Sequence, residues 1–223
     1  MATYYVDATG GNDAWPGTEA QPWQTIGKVN GEVFVAGDYV LFKRGETWTG
    51  TVLLVTWSGA AGNPITFGAY GTGAKPIIDG NDAVNCVIVN TQSYLNFENI
   101  DASQGLDFGF SFVTCHHIRL VDCSAHDCGN DQVIFITGCH DCVVLRGEFY
   151  AGYQRIVGTV PSGIEIADGG HDITLAWVAC YGNVVGMGIA IHSHVATGMP
   201  YNIHVYNSHC YSNANHGIQI IKQ

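Results

Sequence analysis

Charge is scarce in this chain of 223 residues: Asp, Glu, Lys and Arg together make up 12%, about half the usual share. Hydrophobic residues make up 47%, which excludes a disordered chain, since disorder needs high charge and low hydrophobicity. Basic residues are scarcer still. Eight Lys and Arg face nineteen Asp and Glu, a formal net charge of -11. Without basic clusters there is nothing to neutralise phosphates, so nucleic acid is excluded as a general partner. An anionic membrane surface is excluded on the same ground. No apolar run approaches the ~18 residues of a membrane span. The opening Met1-Ala2-Thr3-Tyr4-Tyr5-Val6 lacks the basic start and small-residue cleavage site of a signal peptide. It fits a cytosolic protein, or a mature secreted segment behind a new start codon. The second is the expectation, which places the protein outside the cell or on a virion surface.

Glycine, by contrast, is abundant at 29 residues. With plentiful Val, Ile, Thr and Tyr, it implies short strands and many turns. One pattern recurs: apolar, any residue, apolar. It reads Val87-Ile88-Val89, Phe110-Ser111-Phe112, Ile134-Phe135-Ile136, Ile164-Glu165-Ile166, Ile189-Ala190-Ile191 and Ile218-Gln219-Ile220. A second strand follows the first five, at Leu95-Asn96-Phe97, Ile118-Arg119-Leu120, Val143-Val144-Leu145, Ile173-Thr174-Leu175 and Ile203-His204-Val205. A third starts at Ile100, Cys123, Glu148, Val178 and Ser208, Glu148 being the one charged residue among them.

Three short strands in each repeat of roughly 25 residues imply an all-β single-stranded parallel β-helix. A lone coil cannot bury its inward side chains. Coils stacked about 4.8 Å apart build a continuous apolar column. A β-sandwich would instead place hairpin turns between its strands. Residues 1–50, with a short helix starting near Gln21-Pro22-Trp23-Gln24-Thr25-Ile26, are expected to form an N-terminal cap. Residues 51–223 are expected to form the solenoid, which stops just after the first strand of a new coil. That ending predicts either further coils in a longer protein or a covering second copy.

Stacking turns equal offsets into spatial neighbours. Asp107 lies three residues before Phe110 and Asp131 three before Ile134, so the two are expected one coil apart at one edge, with Asp127 in the same turn as Asp131. Such carboxylates suit Ca²⁺, which takes six to eight oxygens. They also suit an acid/base pair for glycoside hydrolysis, while a solvated turn motif would need neither. Glu165 points outward, and Asp168, His192 and His194 lie just past strand ends; Glu165 or His192 could act as general base on a sugar along this sheet. Cys139-His140-Asp141-Cys142, above Cys115, His116 and His117, gives a weaker zinc signal. Cys115 with Cys139, and Cys180 with Cys210, share repeat offsets and are expected to stack as buried thiols or disulfides. Trp15, Trp23, Trp48 and Trp57, and tyrosines near turns, could stack on sugar faces.

The opening carries a resemblance. Tyr4–Asp13, Gly17–Ile26, Gly37–Gly45 and Gly62–Tyr70 are similar to the start of family 9 polysaccharide lyases and other members of the pectate-lyase-like superfamily. The resemblance implies a right-handed parallel β-helix, a polysaccharide partner, Ca²⁺ held by aspartates, and a lysine base. No Lys lies between Lys75 and Lys222. Arg155, in the turn before Ile164, is the cation best placed to substitute. Gly129–Ile134 resembles the paired-aspartate strand start of polygalacturonases, without their other motifs. Three readings follow: a polysaccharide lyase or part of one, a hydrolase using Asp107 and Asp131, or a non-catalytic glycan-binding stalk such as a tail-spike, adhesin or cell-surface module.

Overall fold

A computed structural model describes residues 1–155, 160–194 and 198–221. Its strands form three sheets: a first of seven strands, a second of eight running from Thr3–Val6 through Ser93–Glu98, His116–Val121 and His140–Leu145 to Tyr201–Tyr206, and a third of seven from Thr47–Thr49 to His209–Tyr211, and every strand pair within them is parallel. Each turn of the chain adds one strand to each sheet, which is the right-handed parallel β-helix. The first sheet runs from Leu53–Val55 through Val87–Asn90, Phe110–Val113, Val133–Ile136, Ser162–Ala167 and Met187–His192 to Ile218–Ile221.

The inward column of the first sheet is Val87, Phe110, Val133, Ile164, Ile189 and Ile218. Five of the six expected residues line up. The sixth, Ile134, is replaced by its neighbour Val133, and Ile134 pairs with Ser111 and Glu165 on the outward face. The same coil is shifted throughout. Cys142 and Val144, not Val143 and Leu145, stand in line with Ile118 and Leu120. Glu148 pairs with Ser124 and Ala179 as an outward residue, so Gly147 takes the slot of Ile100 and Cys123. A one-residue slip exchanges the two faces of a strand. Here the sequence offers no warning, because Val133-Ile134-Phe135-Ile136 and Cys142-Val143-Val144-Leu145 are apolar at every position.

The core is a stack of rings and branched aliphatics. Phe67 lies over Phe97 at 5.3 Å and Phe112 over Phe135 at 4.9 Å, nearly parallel in both pairs. Full burial of one such side chain is worth roughly 2–3 kcal/mol. All eight cysteines are free thiols, with seven buried and Cys210 half-buried. Cys180 stands directly opposite Cys210 as its offset predicts.

The N-terminal end of the stack is closed. The helix Ile26–Gly31 starts at Thr25, whose hydroxyl accepts from the Lys28 N–H as an N-cap. It buries Ile26 and Val29. Strand Leu53–Val55 is the outer strand of its sheet, and Asn30 satisfies its free edge. The Asn30 amide donates to the Val52 carbonyl at 2.8 Å and accepts from the Leu54 N–H at 3.1 Å. An unpaired edge would otherwise invite another strand.

Between the second and third sheets the chain turns at Asn99, Asp122, Arg146, Trp177 and Asn207, all at φ between 51° and 58°. Asn and Asp tolerate this left-handed region best. Arg146 adds a two-pronged bond to Asp122 one coil below, both contacts 2.8 Å.

Candidate functional site

The outward face of the first sheet changes character along its length. Its central column reads Ile88, Ser111, Ile134, Glu165, Ala190 and Gln219. Glu165 is thus a carboxylate on a strand otherwise buried from end to end, and it is only 5% exposed. A cleft of about 600 Å³ lies over it, lined among others by Asp131, Ile134, Val160, Met187, His192 and His194.

Asp131 enters from the turn below. Gln132, itself fully buried, shapes that turn: its side chain accepts from the Cys128 N–H at 3.3 Å and donates to the Asn130 carbonyl at 3.1 Å. Asp131 is 1% exposed. Its Oδ1 accepts from the Ser162 N–H at 2.7 Å, while Oδ2 has no hydrogen-bond partner in the protein. The carboxyl also contacts that of Glu165. Burial first, and then the neighbouring Glu165 charge, push the Asp131 carboxyl well above the usual carboxylate range.

Above Glu165 stand two imidazoles. His192 ends its strand outward, and its Nε2 lies 3.3 Å from Glu165 Oε2. The hydrogen bond to Glu165 raises the His192 pKa against the opposing effect of burial. His194 brings Nε2 to 3.6 Å from Glu165 Oε1, and its Nδ1 lies 3.3 Å from Asp168 Oδ2. Asp168 is itself fixed, accepting from the His194 N–H at 2.7 Å and the Ser193 hydroxyl at 3.3 Å. Burial works against the Asp168 charge, but the bonds from His194 outweigh it and hold the carboxyl below its ordinary range. Glu165 Oε1 and His192 Nδ1 are buried without hydrogen-bond partners. Among the described residues, Glu165, His192 and His194 are the one group of three that could hold a metal ion.

Gly186 helps to seat the strand that carries His192. A Cβ there would come within 1.6 Å of the Pro161 carbonyl oxygen, so only glycine lets the two loops pass.

The structure therefore brings together Asp131, Glu165 and His192 of the expected residues, and leaves three others apart. Asp107 lies opposite Asn130, whose N–H donates to the Asp107 carbonyl, because of the shifted register. The expected Asp107–Asp131 adjacency is thus corrected. Asp127 bonds His126 Nδ1 at 2.7 Å. Arg155 pairs with Asp82 at 3.2 Å, where the Tyr153 hydroxyl also binds. Among the described residues the three aspartates Asp107, Asp127 and Asp131 form no ligand cluster, so the expected calcium set is not assembled. Nor do the residues of the weaker zinc signal converge: Cys115, Cys139 and Cys142 lie in the apolar core, whereas His117 is exposed and His116 and His140 half-exposed.

His194 and Asp168 complete the group, and the sequence marks them only as polar residues beyond strand ends. Their signal is the His-x-His spacing of His192 and His194 across a strand terminus. The expected sugar platforms resolve differently. Trp23 and Trp48 are buried packing residues near the N-terminal end, Trp48 on a strand of the third sheet. His126, Tyr150, Tyr181 and Tyr211 stack on one another at 4.8–4.9 Å, which occupies the ring faces a sugar would need.

No family model matches the chain, and no curated protein matches its sequence. Solved structures do. Pectate lyase Pel9A is similar with a TM-score of 0.75 and 19% identity, over 86% of this chain and 50% of that one. The lacto-N-biosidase of glycoside hydrolase family 136 from Eubacterium ramulus gives 0.58 and 22%, over 86% and 45%. The mannuronan C-5 epimerase AlgE4 A-module of Azotobacter vinelandii gives 0.60 and 16%, over 99% and 57%. At such identities the likeness is one of fold: the chain has a parallel β-helix, as its opening residues imply. It spans about half the length of these structures. Among the described residues no helix is long and apolar enough to cross a membrane.

Proposed function

We propose that the protein acts on a polysaccharide laid along the first sheet, as a lyase or the catalytic half of one, outside the cell. One observation carries the reading: buried carboxyls of Asp131 and Glu165 meet across a coil step at the floor of an open cleft, each with an oxygen that makes no hydrogen bond within the protein. A buried polar atom without a partner costs about 1–3 kcal/mol. A sugar hydroxyl or glycosidic oxygen would supply the missing bond.

The contact between the two carboxyls favours elimination over hydrolysis. Hydrolysis needs carboxyls about 5 Å apart or more, to leave room for the sugar and, in inverting enzymes, the water. In elimination Glu165 takes the proton beside the uronate carboxyl as the carbon–oxygen bond to the leaving sugar breaks and a carbon–carbon double bond forms, while Asp131 gives its own proton to the oxygen that leaves. His192, whose bond to Glu165 favours its protonated form, offsets part of the Glu165 charge, which eases the approach of an anionic glycan to a protein of net charge -11. The folds of a pectate lyase and a uronate epimerase, named by the similar structures, support a uronate polymer as substrate.

Incubation with polygalacturonate, rhamnogalacturonan and alginate tests this. The expected outcome is ultraviolet absorbance from an unsaturated product on one of them, lost in Asp131→Asn. New reducing ends without that absorbance would instead make the protein a hydrolase. Retained glycan binding with neither signal would make it a non-catalytic module.

A further inference from the structure

Calcium is the ion that the family resemblance implies, and the cleft does not fit it. Ca²⁺ takes six to eight oxygens. Glu165 offers two, and the groups beside it are imidazoles. Asp131, the nearest further carboxyl, already spends one oxygen on the Ser162 N–H.

We infer that this cleft is a binding site for a divalent transition metal of the zinc class, held by Glu165, His192 and His194. Imidazole with a single carboxylate is the donor set such ions prefer. The spacing agrees. Zinc–ligand bonds of about 2.0–2.1 Å in a tetrahedron place ligand atoms about 3.4 Å apart. Glu165 Oε2 lies 3.3 Å from His192 Nε2 and Glu165 Oε1 3.6 Å from His194 Nε2, and one ligand atom from each of the three residues falls within 4.8 Å of the others. Like charges are not forced together, since two neutral imidazoles and one carboxylate meet a dication.

The surroundings are those of a metal ligand set. A ligating histidine donates its other N–H to a carboxylate or carbonyl, which fixes its tautomer and aim. Asp168 does this for His194 Nδ1 and is anchored by two further bonds of its own. A ligating carboxylate is usually hydrogen-bonded from behind, and the Asp131 carboxyl touches Glu165. Three protein ligands leave a fourth position open, facing the cleft. Glu165 Oε1, buried and without a hydrogen bond, is the second sign that a ligand belongs here.

The site rests on these side chains and stands whether or not the cleft cleaves a glycan. Protein stripped with chelator is dialysed against ZnCl2 or CaCl2 alone, with no glycan present. One Zn²⁺ per chain should be retained and Ca²⁺ should not. CoCl2 should give visible d–d bands without the thiolate charge-transfer band that ligation by Cys115, Cys139 or Cys142 would produce. Glu165→Gln and the double variant His192→Ala/His194→Ala should each weaken zinc retention at least tenfold, whereas His140→Ala, on the second sheet, should leave it unchanged. Preference for Ca²⁺, a cobalt–thiolate band, or undiminished zinc in the double variant would overturn the assignment; the cobalt spectrum of the unaltered protein decides even if a variant fails to fold. Zinc uptake without glycan cleavage would sink the lyase reading alone. Cleavage with no zinc uptake would sink the metal site alone.

Discussion

The protein uses histidine in two ways, and the contrast shows where a repetitive fold finds room for chemistry. On the second sheet His116, His140, His171 and Tyr201 stand one coil apart and stack face to face at 5.0, 4.9 and 4.7 Å. Stacked rings point their nitrogens the same way, so they cannot converge. His140 and His171 each bond the aspartate that follows, Asp141 and Asp172. In the cleft, His192 and His194 are two residues apart across a strand end, their rings meet at 70°, and both reach Glu165. Repetition makes ladders; a local departure from repetition makes a site.

The contrast breaks most sharply on activity. Asp131→Asn and Glu165→Gln should each lower kcat on the cleaved polymer by about 10²–10⁴, the usual yield of a proton-transfer group. His171→Ala should leave it unchanged. Equal losses from both sets would put the site on the wrong sheet.

The register beneath the contrast comes next. Phe135 is fully buried and stacked on Phe112, so Phe135→Ala should cost about 3–5 kcal/mol by chemical denaturation. Ile134→Ala, on the cleft side, should cost less than half of that. The reverse order would restore the alternative register, with Ile134 inside.

A smaller effect separates His126 from both sets. Its bonds to Asp101 first, and to Asp127, raise its pKa to about 9 against the opposing effect of burial. A raised pKa stabilises the fold fully below the unfolded value of 6.5 and is lost as pH climbs through 9. His126→Gln should therefore cost roughly 2 kcal/mol at pH 6 and almost nothing near pH 10, read as Tm against pH. His116 runs the other way. Burial first, then the neighbouring histidines His140 and His117, lower its pKa, so stability is lost as pH falls below the ordinary histidine value of 6.5 and His116 is driven to take a proton. The smallest effect is His140→Ala at neutral pH, expected within about 0.5 kcal/mol of the parent.

Much of this was legible beforehand. The apolar-x-apolar strands, their three-fold grouping and the outward aim of Glu165 follow from alternation alone. The register of one coil did not, because a strand apolar at every position has no polar face to mark its outside. That ambiguity moved Asp131 by one step, set it beside Asp107, and hid its contact with Glu165. The His194–Asp168 pair was hidden for another reason. Loop residues carry no periodicity, and the chain between Met187–His192 and Tyr201–Tyr206 departs from the tight connections of earlier coils.

Those longer connections have a consequence for how such a molecule can change. The segments joining Glu148–Tyr150 to Ser162–Ala167, and Met187–His192 to Tyr201–Tyr206, outgrow their counterparts, yet the strands on either side keep their pairing unbroken. One residue of each lines the cleft: Val160 from the first and His194 from the second. Each coil is held by its neighbours above and below, so a rim can lengthen or shorten a residue at a time while the ladder underneath stays put. Selection can thus redraw what the groove accepts without renegotiating how the molecule stands up.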